Sequence, residues 1–421
     1  MGAGAARPRS ARLDRADWGR ALAGFSGVLI GIGFARFGFT PLIPALVLAD
    51  WFGPADAVLL GATNLAGYLA GAVAADRVAL RLGPTPVIRW SMLVAAASFA
   101  ACAFPAPFAW FALWRFASGV CGSLLMVLVA PLLMARTAAE RRGKVSGFVF
   151  TGIGVGIALS GTIVPLVVET FGLTAAWATL AAISLALTAA FWTRWPSADR
   201  VSTLAPPPAP AIAPGPAPAP APASKAVSGP VSGPVSGAIL MLLAAYAADA
   251  VGFVPHTVFV VDFIARGLGL GLETGGAYWM LFGLGAMVGP VAAGALADRI
   301  GFRFALASAL LAKAGAVALP LLSTGPAALG LSCMVAGALT PGMVVVVSGR
   351  ALELAGGTSH RRIWGWMTAA FAVAQAAAAY AMSFLFAATQ SYPALFAIGA
   401  AALAAGAVLA FLAGRQGGGQ R

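Results

Sequence analysis

Apolar residues come in long runs along this chain, and the breaks between runs collect arginine, glycine and proline. Twelve runs can be marked: 20–48, 57–75, 86–104, 108–134, 145–168, 173–194, 238–264, 276–297, 303–322, 326–348, 363–388 and 393–413. A helix needs about 20 apolar residues to cross the hydrocarbon core of a bilayer, and each run reaches or approaches that length. The pattern predicts an all-α membrane protein with twelve transmembrane helices. Arginines precede the first run, as they do in a secretory signal. That run is too long for a signal core and lacks a small-residue cleavage site, so it counts as a span.

Composition agrees. Of 421 residues 60% are hydrophobic and 9% charged, with a mean hydropathy of +0.91, whereas soluble domains carry about 25% charged residues. The net charge of +13 raises nucleic acid as a partner, and the placement of the charge argues against it. No stretch combines clustered Lys/Arg with aromatic residues. With the N-terminus inside, 22 of the 26 Lys and Arg residues fall in segments on the cytoplasmic side. Only Arg266 lies in an outer loop, and Arg36, Arg115 and Lys313 lie within spans. The positive-inside rule requires this asymmetry, and a miscounted helix would scramble it. Both termini are therefore expected in the cytoplasm. Cys102, Cys121 and Cys333 sit in apolar runs without metal-ligand spacing and read as core residues. No metal or cofactor is expected.

Residues 201–237 are a Pro/Ala tract followed by Ser-Gly-Pro repeats, a composition that extends or flexes and packs no core. It predicts an N-terminal six-helix bundle over 1–196, a cytoplasmic linker over 197–237 and a C-terminal six-helix bundle over 238–421. The halves echo each other. GFTP (38–41) answers GFVP (252–255), and GYLAGAVAADR (67–77) answers GPVAAGALADR (289–299). Internal repeats with a site near the midplane are a common plan of secondary transporters.

These motifs carry a resemblance. GALADRIGFR (294–303) is similar to the loop signature of the major facilitator superfamily, with Asp298, Arg299, Gly301 and Arg303 in place. In the first-half copy five residues, not one, separate Arg77 from Gly83. LWRFASGVCG (113–122) resembles that family's fourth-helix signature, with Arg115 and Gly119 in place and Ser118 where glutamine is common. GIGFARFGFTPLIPAL (31–46) and DAVGFVPHTVF (249–259) resemble the first and seventh helices of its YbfB/YjiJ-like branch. The resemblance covers essentially the whole chain. It implies two pseudo-symmetric six-helix bundles in a bacterial cytoplasmic (inner) membrane, alternating access, and a role for Arg115 in substrate binding or proton coupling. It names no cargo. TGIGVGIALSG (151–161) occupies the place where proton antiporters of the family carry a Gly-Pro pair, which is missing here.

Charges inside spans are the candidate chemistry, because each costs about 2.5–3.5 kcal/mol at the bilayer centre on insertion scales. Arg36 lies 14 residues after Leu22, roughly 21 Å along a helix, too deep to snorkel. Gly33, Arg36 and Thr40 are spaced to share a face, and Pro41 and Pro44 permit a bend behind them. The guanidinium suits a carboxylate or phosphate; a structural ion pair is the alternative. Tyr246, Asp249, Phe253, His256 and Val260 follow helical spacing as one stripe. Asp249 and His256 can hold and release a proton, or Asp249 can neutralise Arg36 or Arg115. Asn64 and Gln375 lie on small-residue faces and offer ligand contacts or simple packing. Phe34, Tyr68, Tyr246, Phe253, Tyr278, Trp279 and Phe371 could meet an apolar part of a ligand. Lys313 is expected in a buried pair, and Asp262 and Glu169 are expected to be solvated.

The substrate site is thus expected at Arg36, Asn64, Arg115, Tyr246, His256 and Gln375, with proton coupling at Asp249 and His256. Asp76, Arg77, Asp298, Arg299 and Arg303 are expected to form inter-helix charge contacts that close the cytoplasmic side. Three of the four buried charges are basic, which favours a small organic anion moved with protons. Efflux of amphipathic or cationic compounds recognised by Asp249 is the alternative. A membrane sensor ranks lower, since the chain carries no soluble signalling domain. The chain shows no phosphate-binding loop and no catalytic constellation, so it is not expected to be an enzyme.

Overall fold

The computed structural model describes residues 15–196 and 237–413; the proposed linker lies outside them except for Gly237. The described residues are helical throughout, without strands. α1 runs from Arg15 to Leu48 in pieces: Arg15–Val28, a wide turn over Leu29–Phe34, a tight turn over Phe37–Phe39, and Leu42–Leu48. Then follow α2 (Pro54–Leu82), α3 (Pro84–Ala101), α4 (Phe108–Met134), α5 (Ala139–Phe171) and α6 (Leu173–Phe191). α7 spans Gly237–Gly267. Helix continues over Gly271–Leu322 and Pro326–Thr389, and α12 spans Tyr392–Leu412.

The two longest segments are each two helices. A straight helix of 52 residues would measure about 78 Å, more than twice the roughly 30 Å hydrocarbon core. Gly301 (φ 78°) and Gly356 (φ 68°) interrupt them with a backbone that only glycine adopts without strain. They therefore divide into α8 (271–300) and α9 (302–322), and α10 (326–355) and α11 (357–389). Nine helices among the described residues are long and apolar enough to cross a membrane, ten with the bent α1. Dividing Gly271–Leu322 and adding the shorter α3 gives the twelve that the hydrophobic runs predict.

The break in α1 falls earlier than its prolines. Residues 17–34 and 37–48 are bent by 41°. A proline ring crowds the carbonyl four residues before it and supplies no N–H. Pro41 and Pro44 therefore disturb the turn at Phe37–Thr40, beside Arg36. α7 departs from regular geometry in the same way, with a wide turn at Pro255–Phe259.

α1–α6 pack as one bundle and α7–α12 as a second, joined chiefly by α5 against α8 and α2 against α11. Large apolar side chains such as Phe171, Val291 and Leu322 are exposed on the outside. An apolar surface of this kind suits lipid contact. Arg77, Arg81, Arg89, Arg136, Arg194, Arg299, Arg350 and Arg362 gather at the end where α1 begins, here termed the basic end.

The bundles meet towards the opposite end. Thr40 donates to the Thr257 carbonyl at 2.6 Å, and Tyr380 donates to Thr63 at 3.4 Å. α5 and α8 touch backbone to backbone: a Cβ on Gly283 would lie 2.5 Å from the Ala158 nitrogen. Nearer the basic end the same helices part, and nothing lies within 4 Å of a Cβ placed on Gly147.

Candidate functional site

Arg36 leaves α1 at its break and points between the bundles. Its Nη2 donates to Gln375 Oε1 of α11 at 2.6 Å. The guanidinium carbon lies 4.6 Å from the Tyr68 ring centre, 5.1 Å from Phe37 and 5.2 Å from Phe253. Three aromatic faces and one amide hold the charge, with no carboxylate among its partners, and its Nε has no hydrogen-bond partner. Arg36 keeps partial solvent access, whereas Gln375 is fully buried. The expected shared face of Gly33, Arg36 and Thr40 is not formed. Gly33 abuts Gly156 of α5, Arg36 reaches α11 and Thr40 reaches α7, because the break rotates each in turn.

Arg115 is buried in α4, its guanidinium carbon 4.1 Å from the centre of the Phe39 ring. Its Nε and Nη2 have no hydrogen-bond partner. Asn64 lies between the two arginines. Its Nδ2 donates to the Arg115 carbonyl (3.0 Å) and Ser118 Oγ (2.9 Å), and approaches the Ala35 carbonyl at 3.4 Å. Arg36, Phe37, Phe39, Thr40, Asn64, Phe253 and Thr257 line a pocket at this level. Its free volume of about 20 Å³ admits about one water molecule. An organic ligand requires the pocket to widen.

Asp249 does not neutralise either arginine. It accepts from Lys313 Nζ of α9 at 2.7 Å, both side chains being 1% exposed. This is the buried pair expected for Lys313, and it removes Asp249 as a counter-charge for the pocket. The predicted stripe on α7 is kept in part. Tyr246 and Phe253 both pack on Phe371 of α11, Phe253 also facing Phe37 and Arg36, whereas Asp249 turns to α9. His256 sits in the wide turn that shifts the helical phase, and its Nε2 meets Ser332 Oγ at 2.8 Å. Ser332 spends its proton on the Ala316 carbonyl (2.5 Å), so His256 Nε2 is the donor and Nδ1 carries a free lone pair. His256 therefore faces α9 and α10, away from the pocket.

Asp262, expected to be solvated, is fully buried at the end of α7. It accepts from Arg266 Nε (2.5 Å) and Nη2 (2.7 Å) and from Tyr392 Oη (2.6 Å). Arg266 four residues on is the partner that apolar burial demands. Glu169 is exposed as expected. Tyr278 is directed to the Pro326 carbonyl at the start of α10 and away from the pocket.

The expected charge contacts at the basic end are not formed. Asp76, Arg77, Asp298 and Arg299 are exposed, and no ion pair joins them. Arg303 instead donates to the Phe411 carbonyl at 3.2 Å and lies over the Phe304 and Phe411 rings. α2 and α8 end apart here because the bundles converge at the opposite end. An exposed pair contributes about 0–1 kcal/mol, too little to draw them together.

Several contributors were not singled out from sequence. Phe39 covers Arg115, the Thr257 carbonyl accepts from Thr40 to bridge α7 and α1, and Ser332 fixes the His256 tautomer. Phe39 three residues after Arg36 was the available signal, but its contact with α4 depends on the break between them.

Two helical bundles meeting around a pocket lined by an arginine without a carboxylate partner point to a membrane transporter of the major facilitator type. The sequence bears this out: residues 28–411 match the family model described as uncharacterised MFS-type transporter YbfB. The chain belongs to that family. A comparison with curated proteins returns no match.

Proposed function

We propose that this chain is a secondary active transporter that carries a small organic anion by alternating access, coupled to protons. One observation carries the reading: among the described residues each buried aspartate is already matched with a base, whereas neither Arg36 at the pocket nor Arg115 behind Phe39 has a carboxylate partner. Asp17 pairs with Arg20 and Arg141, Asp249 with Lys313 and Asp262 with Arg266. Arg36 is left with aromatic faces and the Gln375 amide, and Arg115 with the Phe39 ring. A guanidinium away from water favours a carboxylate or phosphate. Cation efflux recognised by Asp249 is less well supported, because Lys313 occupies that carboxylate.

For the proton, Asp249 is the candidate carrier. Protonation would remove its charge, release Lys313 and alter the contact of α7 with α9, while His256 Nδ1 offers a second acceptor. Lys313 is the polar group hydrogen-bonded to this carboxylate. The positive-inside rule supports a cytoplasmic basic end, in the bacterial inner membrane that the resemblance implies. Asp76, Arg77, Asp298 and Arg299 would then meet when the cytoplasmic side closes.

Thermal stability of the purified protein against matched anionic and cationic metabolites tests the charge reading, with Arg36→Gln alongside. Particular anions should stabilise wild type only. Stabilisation of both proteins by cations would overturn it. Coupling is tested in proteoliposomes: Asp249→Asn should retain anion exchange and lose accumulation driven by a proton gradient. Undiminished gradient-driven accumulation would exclude Asp249 as carrier.

A further inference from the structure

Within the two-bundle core the fixed charges are Arg36, Arg115, Lys313 and Asp249, an excess of two positive charges. In an occluded state water is excluded from the site, and an uncompensated charge there costs several kcal/mol. A singly charged anion leaves one guanidinium unmatched. The local chemistry of Arg115 sharpens this point. Its ring contact with Phe39 at 4.1 Å contributes about 2 kcal/mol when desolvated, less than the cost of burying the ion. Asn64 and Ser118, its polar neighbours, are directed at its backbone carbonyl as donors, so neither supplies an acceptor to the guanidinium. Nε and Nη2 remain unpartnered on a side chain that is 2% exposed.

Phe39 is the wall between this cation and the pocket, since it both lines the pocket and covers Arg115. It belongs to the short tight turn Phe37–Phe39 within the 41° break of α1.

We propose that the substrate is an organic dianion with two separated anionic groups. One is held by Arg36, and the other by Arg115 once Phe39 turns aside. This rests on the anion reading above and specifies its substrate class. With Asp249 ionised, a dianion cancels the core excess, so that occluded state buries no net charge. Phe39 is then the residue that distinguishes one charge from two: it shields Arg115 until a second anionic group displaces it.

The test uses straight-chain monocarboxylates and α,ω-dicarboxylates of matched length, titrated against the full-length protein in detergent near neutral pH, where both series are ionised. Wild type should bind one dicarboxylate length at least about tenfold tighter than its monocarboxylate counterpart. Arg115→Gln should reduce that ratio towards one, and Arg36→Gln should weaken both series. If Arg115→Gln does not fold, Arg115→Lys retains the charge without the fork and should keep the preference with a shifted optimum length. Equal binding of the two series by wild type overturns this proposal alone, as does a preference that survives in Arg115→Gln. A response to neither series overturns the anion reading together with it.

Discussion

The Asp249–Lys313 pair permits a quantitative prediction. The two groups are 2.7 Å apart and 1% exposed on helices α7 and α9. At an effective dielectric constant of about 20, unit charges at that separation attract by roughly 6 kcal/mol. Removing each ion from water costs several kcal/mol, so the pair is close to break-even against an apolar pair of the same shape. Removing one partner is different, because the other charge stays buried without compensation, at about 3–5 kcal/mol. Lys313→Met and Asp249→Asn should each destabilise the protein by that amount. The double variant should recover most of the loss and lie within about 1–2 kcal/mol of wild type. The resulting coupling energy, at least about 4 kcal/mol, is read from a double-mutant cycle of unfolding in detergent. Single losses that add to within about 0.5 kcal/mol would show that the two charges do not act as a pair, and the argument that Asp249 is unavailable to a cation would fail with it.

Other contacts make further predictions. Tyr392→Phe removes the hydroxyl that donates to Asp262 at 2.6 Å and should cost about 1.5–3 kcal/mol in the same unfolding assay. Ser332→Ala leaves the His256 Nε2–H without its acceptor and should cost about 1–3 kcal/mol, with anion affinity unchanged because Ser332 lies outside the pocket; altered affinity would return His256 to the binding site. Gly283→Ala places a methyl 2.5 Å from the Ala158 nitrogen and 2.8 Å from the Gly154 oxygen, against backbone that cannot give way. It should part α5 from α8 at the end opposite the basic one. It should cost about 1–3 kcal/mol in the same unfolding assay, and unchanged stability would refute the contact.

Much of the architecture was legible in sequence. Apolar runs and arginine placement respond to the bilayer, a solvent that acts on every residue independently of its neighbours. Their count therefore agrees with the twelve helices of the structure. Lys313 was expected in a buried pair because the resemblance implies a peripheral ninth helix, away from the substrate. The partner itself was not legible. Asp249, Arg36 and Arg115 can be combined in several ways, and spacing along one helix does not say which helix lies opposite. Asp262 was misplaced as solvated because its position near a helix end resembles exposure until Tyr392 and Arg266 are seen to cover it.

The sequence by itself determined the class of solvent, the number and order of helices, and which residues carry charge into the membrane. Tertiary structure decided what each charge faces. The break at Arg36 and the wide turn at His256 redirect side chains that a regular helix would have aligned. Those distortions place Arg36 at the pocket and His256 behind it. Helical spacing gives a residue's direction only while the helix stays regular, and prolines in α1 and α7 end that regularity beside the residues that matter most.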